Sequence, residues 1–185
     1  MREYAIQDLS RFKVPPGFRG RPSYVVALWW IVEATLFRYS PAMLYGWRRW
    51  LLRAFGAKIG RKARIKPTVR IVYPWKLEVG EYCWVGQRVD LYSLGPIIIG
   101  NNVCISQDSY LCTGSHDQRT TTFDIFEKPI VIGDEAWVAS QSFIMPGVTI
   151  GRGAVVGVRS LVLHDVEAET VVVGQPARPV GKRRG

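Results

Sequence analysis

From residue 132 to residue 156 the sequence reads IGDEAWVASQSFIMPGVTIGRGAVV, with an aliphatic residue at every sixth position. This spacing of six recurs along the chain in five sets of three, separated by breaks in the period. The fifteen residues are Ile59, Ile65, Ile71; Val79, Val85, Leu91; Ile99, Ile105, Leu111; Ile132, Val138, Ile144; and Ile150, Val156, Val162. Such a regular apolar period indicates a stacked repeat with one inward side chain per six residues.

The residue after the first member of each set is glycine: Gly60, Gly80, Gly100, Gly133 and Gly151. A six-residue period with this glycine is typical of a hexapeptide β-helix, in which each hexapeptide forms a short strand and a corner. We expect the glycine to let the backbone turn at the corner, where other residues would meet a steric penalty. Three hexapeptides make one triangular coil, and neighbouring coils must stack to bury their apolar faces. The sequence therefore predicts an all-β fold, a parallel β-helix of about five coils over residues 59–167.

The breaks in the period all fall between the third member of one set and the first of the next. Two extra residues separate Ile71 from Val79, and fifteen separate Leu111 from Ile132. A further two precede Ile99. All three insertions should therefore lie at one edge of the prism, the longest as an excursion loop over residues 114–129. Loops on a rigid scaffold often carry function.

Residues 1–58 differ from the repeats and are predicted to form an extended arm followed by apolar and amphipathic helices. Residues 24–37 are apolar apart from Glu33, a run too short to span a bilayer. Residues 42–55 fit a helix with one apolar face. That face comprises Trp47, Trp50, Leu51, Ala54 and Phe55, whereas Arg48, Arg49 and Arg53 lie elsewhere.

Two interpretations of residues 24–55 stay open. They can form a helical cap on the open end of the solenoid, which such folds need. They can also lie on a membrane, with the apolar face down and the arginines on lipid phosphates. Residues 168–185 are predicted to be a short C-terminal tail.

The composition excludes several classes of protein. The net charge of +10 over 185 residues suggests a polyanionic partner. Because no nucleic-acid-binding motif is recognised, we do not expect that partner to be a nucleic acid. Three cysteines without paired spacing argue against a disulfide framework or a zinc site, and we expect no metal. Met1–Tyr4 do not open a signal peptide, so a cytoplasmic location is expected.

Histidine occurs only at positions 116 and 164. His116 lies in the segment CTGSHD, where the chain enters the long insertion. An imidazole can take a proton from a hydroxyl group and return it later in the reaction. His116 is therefore the candidate general base, with a surface histidine as the alternative.

Several segments carry a resemblance to a known family. They are the repeats, the TGSHD segment, PPGFRG at residues 15–20 and VGQPAR at residues 173–178. Together they resemble the hexapeptide-repeat acyltransferases, which have left-handed β-helices, and are most similar to the colanic acid biosynthesis O-acetyltransferases of exopolysaccharide pathways. The resemblance implies transfer of acetyl from acetyl-CoA to a sugar hydroxyl, within a homotrimer.

The resemblance also implies roles for individual residues. His116 would be the general base, oriented by Asp117 or by Asp90 on the preceding coil. Relatives often have asparagine near position 88 or 90, where this chain has Arg88 and Asp90. The remaining acceptor candidates are Trp75, Tyr92 and Ser93, beside the two short insertions. The donor candidates are Trp137, Ser140, Val158, His164 and Arg178.

Some alternatives remain beside this interpretation. Lys182, Arg183 and Arg184 can supply a phosphate contact or can form a frayed basic tail. The acceptor can be a lipid-linked saccharide, or instead a free sugar, serine or an antibiotic. Cys112 is the cysteine that could carry an acyl group. A γ-carbonic-anhydrase-like metal centre needs three histidines and fails by count, and a non-catalytic solenoid is the remaining possibility.

Overall fold

The structure is a computed structural model that describes residues 5–184, so Met1–Tyr4, on which the signal-peptide prediction rests, lie outside the described residues. A parallel β-solenoid of about six turns occupies most of the chain and confirms the predicted fold class. Its three faces are named A, B and C here. Face A consists of β1 (Lys58–Ile59), β4 (Leu77–Val79), β7 (Ile97–Ile99), β12 (Ile130–Ile132) and β15 (Thr149–Ile150).

The other two faces are built in the same way. Face B consists of β2 (Arg64–Ile65), β5 (Trp84–Val85), β8 (Cys104–Ile105), β13 (Trp137–Val138), β16 (Val155–Val156), β18 (Thr170–Gly174) and β19 (Ala177–Lys182). Face C consists of β3 (Arg70–Ile71), β6 (Asp90–Tyr92), β9 (Tyr110–Cys112), β14 (Phe143–Ile144) and β17 (Leu161–Val162). Within these three faces, the strand pairs are parallel except β18 with β19, which form an antiparallel hairpin.

All fifteen residues of the predicted columns are buried inside the prism. The sixth turn was not predicted. Val166 continues the first column through a bridge to Ile150, and Val172 continues the second column on β18. Val166 follows Val162 after four positions instead of six, so the period breaks there. Residues 168–184 are therefore not a simple tail, because they supply a strand of the sixth turn and the hairpin that follows it.

The glycines after the first column lie where successive coils stack. Their φ angles are not in the left-handed region, which is occupied two residues later by Lys62, Tyr82, Asn102 and Glu135. A Cβ atom at Gly133 would lie 2.7 Å from the backbone nitrogen of Arg152 in the next coil. Glycine is thus required because successive coils stack too closely for a side chain, which confirms the expected steric penalty, whereas the left-handed turn itself is made two residues later.

Two helices close the N-terminal end of the solenoid. Helix α1 (Ser23–Val32) continues into a π-helical segment (Glu33–Phe37), and α2 (Tyr45–Ala54) follows. Their inward side chains, Trp29, Phe37, Leu51 and Leu52, are buried in the core. Within residues 5–184, no helix combines the length and the apolar character that crossing a bilayer requires.

The cap satisfies the free carbonyl groups of the first coil. In later coils, the carbonyls of inward residues accept N–H groups from the preceding coil, as Val85 does from Lys66. The first coil has no preceding coil, so four side chains supply the N–H donors that such a coil would provide. Arg53 binds the carbonyl of Ile59, Arg49 that of Ala63, Arg48 that of Ile65 and Trp29 that of Ile71.

The predicted orientation of α2 is therefore only partly right. Leu51 and Phe55 pack on the solenoid, but Trp47 and Trp50 are exposed, and Arg48 is fully buried. The buried guanidinium of Arg48 also donates to the Ser40 hydroxyl and to the carbonyls of Pro41 and Ala42. A hydrophobicity pattern places arginine outside. Here Arg48 is buried because the carbonyl groups at the unpaired edge of the sheet need hydrogen-bond donors.

Candidate active site

His116 lies on a β-hairpin that leaves the solenoid at the edge between faces C and A. The fifteen extra residues form β10 (Gly114–His116) and β11 (Ile125–Glu127), which pair antiparallel, and His116 is opposite Ile125. The predicted excursion loop is thus a hairpin of its own. The imidazole is half-buried, so it is both held in place and accessible.

The orientation of the imidazole is set by Phe123. The Nδ1 atom of His116 lies 2.7 Å from the carbonyl oxygen of Phe123. A carbonyl oxygen can only accept a hydrogen bond, so Nδ1 carries the proton and Nε2 holds the lone pair. Within residues 5–184, Nε2 has no hydrogen-bond partner. This is the tautomer that a general base needs at Nε2.

Two phenylalanine rings enclose the imidazole. The ring of Phe123 stacks on His116 with centroids 4.2 Å apart and 7° between the planes, and Phe12 meets it edge-on at 5.4 Å. Phe123 has a φ of 54°, an uncommon conformation for a bulky residue. Backbone strain of this kind persists where the surrounding structure enforces it, often at functional sites.

The N-terminal arm reaches the site and holds the hairpin. The backbone N–H of Asp8 donates to the carbonyl of Thr121 at 2.8 Å, next to the contact of Phe12 with His116. Neither Phe12 nor Phe123 was singled out from the sequence. The arm and the excursion have no periodicity, so only their fold brings these rings together.

Lys76 fastens the arm and the insertions to one another. It lies in the 3-10 helix Pro74–Lys76, the first short insertion, and its side chain is largely buried. The ammonium group donates to the carbonyls of Phe18 and Leu94 and pairs with Glu127 on β11 at 2.7 Å. These partners belong to the arm, the second insertion and the excursion, so one charge joins four segments around the site.

The two carboxylates predicted to orient His116 have other surroundings. Asp117 binds Arg119 through both oxygens at 2.9 Å, and these bonds lower the pKa of Asp117 to about 2. Asp90 lies on face C, 3.7 Å from Arg70. The ring nitrogen of His116 is bound by the Phe123 carbonyl instead. The orienting role expected of a carboxylate is therefore filled by a backbone carbonyl.

Asp90 nevertheless has the features of a binding group. Its Oδ1 atom is buried without a hydrogen-bond partner within residues 5–184, and burial raises the pKa of the carboxyl group. It begins an outward row on face C that continues with Tyr110 and Phe143, whose rings stack at 4.7 Å. An unpaired buried carboxylate oxygen beside an aromatic row can accept a hydrogen bond from a ligand hydroxyl.

The remaining acceptor candidates differ in what they can contact. Ser93 is fully buried, and its hydroxyl is bonded to both the N–H and the carbonyl of Tyr73, so it joins two insertions rather than facing a substrate. Trp75 donates to the carbonyl of Arg19 and holds the arm. Tyr92 stacks on Tyr110 at 5.8 Å and extends the aromatic row. Arg88 forms a double ion pair with Asp108 at the corner between faces B and C.

The donor candidates form two groups. Trp137 is exposed on face B, where its indole nitrogen donates to Ser106, and Ser140 and Val158 lie in the corners after β13 and β16. His164 and Arg178 line one cavity of about 560 Å³ beside β17, where face C ends one turn before faces A and B. Lys182 lines it too, so the cavity is partly cationic, and Asp165 and Glu167 supply acidic groups.

The C-terminal basic residues are ordered. Lys182 ends β19 and donates to the Thr170 hydroxyl, and Arg183 donates to the carbonyls of Glu135 and Gly153. The frayed-tail alternative therefore does not hold for these two residues.

The thiol and metal alternatives have little support in the geometry. The thiol of Cys112 lies 3.1 Å from the Gly114 carbonyl, and burial raises its pKa, which disfavours the reactive thiolate. Among the described residues, no group of three histidine, cysteine, aspartate or glutamate side chains could hold a metal ion.

Comparison with known proteins identifies the family. No family model matches the chain. The chain is 54% identical over 178 residues to "Putative colanic acid biosynthesis acetyltransferase WcaF" of Escherichia coli (strain K12), covering 96% of this chain and 98% of that protein. It is 33% identical over 121 residues to "Putative acetyltransferase C18B11.09c" of Schizosaccharomyces pombe, covering 64% of this chain and 58% of that protein.

Similarity to a solved structure indicates the same family. The hexapeptide-repeat-containing acetyltransferase VCA0836 of Vibrio cholerae, complexed with acetyl coenzyme A, superposes with a TM-score of 0.80 at 26% identity. The match covers 88% of this chain and 89% of that one. By its repeats, its solenoid and the extent of its similarity to these proteins, the chain belongs to the hexapeptide-repeat acetyltransferases, together with the colanic acid biosynthesis acetyltransferases.

Proposed function

We propose that the chain transfers an acetyl group from acetyl-CoA to a sugar hydroxyl of an exopolysaccharide precursor. The contact of His116 Nδ1 with the Phe123 carbonyl is the observation that carries this proposal, because a neutral imidazole held in this way has its proton on Nδ1 and leaves Nε2 able to accept one. Support for the donor comes from the acetyl-CoA complex of the Vibrio cholerae relative. Support for the acceptor class comes from the colanic acid pathway named for the Escherichia coli relative.

The reaction follows from general-base catalysis. Nε2 of His116 takes the proton of the acceptor hydroxyl while its oxygen attacks the thioester carbonyl carbon. Backbone N–H groups would hold the developing oxyanion. The carbon–sulfur bond then breaks, and His116 returns the proton to the leaving thiolate, which releases CoA. A base positioned in this way contributes about 10²–10⁴-fold to the rate.

We further propose that the working form is a homotrimer whose sites lie between subunits. His116 lies at the edge between faces C and A, whereas Trp137 lies on face B and Ser140 and Val158 follow it at the next corner. Face C separates these positions within one chain. A neighbouring subunit would bring its face B to the His116 edge and complete the site.

The cavity that contains His164 and Arg178 suits the phosphate end of CoA. Within residues 5–184, neither side chain forms an ion pair with a carboxylate, so both can bind an anion. We expect Arg178→Ala to raise the KM for acetyl-CoA while kcat stays near the wild-type value. A cytoplasmic location stays a prediction.

Mass spectrometry tests the acceptor most directly. The purified chain is incubated with acetyl-CoA and, in separate reactions, lipid-linked saccharides, free sugars, serine and chloramphenicol. We expect the mass of one acetyl group to appear on the lipid-linked saccharide, with release of CoA. Acetylation of another acceptor alone would contradict the exopolysaccharide assignment, and a monomer by light scattering would contradict the shared site.

A further inference from the structure

The outward side of the helical cap is an apolar surface with several large aromatic and aliphatic side chains. Helix α1 exposes Leu28, Trp30 and Ile31, the π-helical segment exposes Leu36, and α2 exposes Trp47 and Trp50. These six residues are called the cap patch. Trp30 is 51% exposed and Trp50 is 57% exposed. Leu36, Trp47 and Trp50 line one groove and so form a contiguous apolar surface, which marks an interaction site more often than an accident of packing.

The cap patch has no role in closing the solenoid. The opposite side of the same helices does that, through Trp29, Leu52 and the arginines bound to the first coil. Between the π-helical segment and α2, the patch contains an open groove of about 670 Å³, lined by Leu36, Leu44, Trp47 and Trp50. The indole nitrogen of Trp47 donates to the carbonyl of Leu36, so the groove wall is held in shape.

Positive charge is concentrated in the part of the chain that contains the cap patch. Residues 1–70 contain fifteen of the 25 lysines and arginines but only three of the fifteen acidic residues. On the first coil, Lys62, Arg64 and Lys66 form no ion pair with a carboxylate within residues 5–184. The ammonium group of Lys66 lies 5.7 Å from the ring of Tyr45, at the start of α2, so this charge adjoins the cap.

We propose that the cap patch docks on the surface of an anionic lipid bilayer. Tryptophan and tyrosine rings favour the boundary between headgroups and acyl chains, and nearby cations attract anionic headgroups. The residues that make this contact differ from those predicted from the sequence, which were the arginines of α2. Arg48, Arg49 and Arg53 bind backbone carbonyls of the first coil, so the exposed tryptophans insert and the first-coil cations meet the headgroups. The inference does not depend on acetyl transfer.

Vesicle co-sedimentation of the full chain tests the proposal. Two vesicle types are used, one of phosphatidylcholine alone and one with added phosphatidylglycerol. We expect binding to the anionic vesicles and weaker binding to the neutral ones. The double variant Trp30→Ser, Trp50→Ser should weaken binding to anionic vesicles about tenfold or more. Unchanged melting temperature and acetyl transfer to a soluble acceptor would show that the variant is folded.

Trp84→Ser is the matched control. Trp84 is 55% exposed on face B rather than on the helices, and its ring lies 5.4 Å from the guanidinium of Arg64, so Trp84→Ser removes a tryptophan beside the first-coil cations while leaving those cations in place. We expect this variant to bind vesicles like the wild type. The proposal is overturned if the wild type binds neither vesicle, or if Trp84→Ser weakens binding as much as the double variant. It is also overturned if the double variant dissociates the oligomer without vesicles, because the patch would then join copies of the chain.

Discussion

Arg48 in the helical cap and His116 in the excursion both bind a backbone carbonyl, but they differ in how completely their polar atoms are used. Arg48 is fully buried and donates to four oxygens. His116 is half-buried, and one of its nitrogens is bonded while the other has no partner among the described residues. A saturated polar side chain stabilises the fold, whereas one left half-saturated in an accessible position can take part in chemistry.

The largest effect should come from removing Nε2 of His116. We expect His116→Ala to lower kcat about 10²–10⁴-fold, since the proton acceptor is lost. The melting temperature should change little, because the ring is only half-buried. Steady-state kinetics and thermal unfolding measure the two effects. His164→Ala is the matched control and should raise the KM for acetyl-CoA with kcat near wild type; activity of His116→Ala close to wild type would remove the proposed mechanism.

For Arg48, whose hydrogen bonds are all used within the fold, we expect a loss of stability without a loss of activity. Arg48→Ala should lower the free energy of unfolding by about 3 kcal/mol or more, because the buried carbonyl of Ile65 and the partly buried bonds to Pro41 and Ala42 lose their donor. Activity per folded molecule should be retained. Urea denaturation measures the loss. Arg49→Ala is the comparison, since Arg49 makes one bond at a half-buried site and should cost about 1 kcal/mol. Equal losses in the two variants would show that saturation does not matter.

A variant of Phe123 tests what holds the His116 imidazole in its orientation. In Phe123→Gly the carbonyl that binds Nδ1 remains, and glycine adopts the φ of 54° freely, but the ring stacked on His116 is lost. We expect kcat to fall about tenfold, because the imidazole is held less firmly. The measurement is kcat beside the melting temperature. A variant as active as the wild type would assign the positioning to the carbonyl alone.

The smallest effect is expected at Asp90, whose buried Oδ1 atom has no hydrogen-bond partner in the part of the chain that the structure describes. Burial raises the pKa of Asp90, so the folded state is disfavoured as the carboxyl ionises. Wild-type stability should fall as pH rises from the unfolded-state pKa of about 4 through the raised folded-state pKa. Asp90→Asn should therefore raise the melting temperature by about 2 °C at pH 8 and by less as the pH approaches 4. Thermal scans at both pH values check this, and a loss of stability at pH 8 would be evidence against it.

The same comparison explains what could be predicted from the sequence. The core columns could be, because every coil repeats one environment and the period records it. The sixth turn was missed where the period shortens before Val166. The inward position of Arg48 could not be found from a hydrophobicity pattern, since it depends on the carbonyls that the first coil leaves without a neighbour.

The candidate site was predictable to a similar extent. His116 could be chosen as a candidate from a short motif next to an insertion, but its contacts could not be predicted. Phe12 and Phe123 lie in segments without a period. The ring of Phe12 meets the imidazole where the arm lies against the excursion, and the ring of Phe123 meets it where the excursion folds back on itself. Ser93 was chosen for its place beside an insertion, and the structure shows that its hydroxyl is already bonded on both sides.

The arginine bonds at the first coil also prevent extension of the solenoid at its N-terminal end. A solenoid end with free carbonyls is a template on which another molecule could stack end to end, and repetition of that contact would produce a fibre. By occupying the carbonyls of Ile59, Ala63 and Ile65, the cap makes this end unable to accept a further coil. Three guanidinium groups thus act as a growth stop for an architecture that has no intrinsic limit on its size.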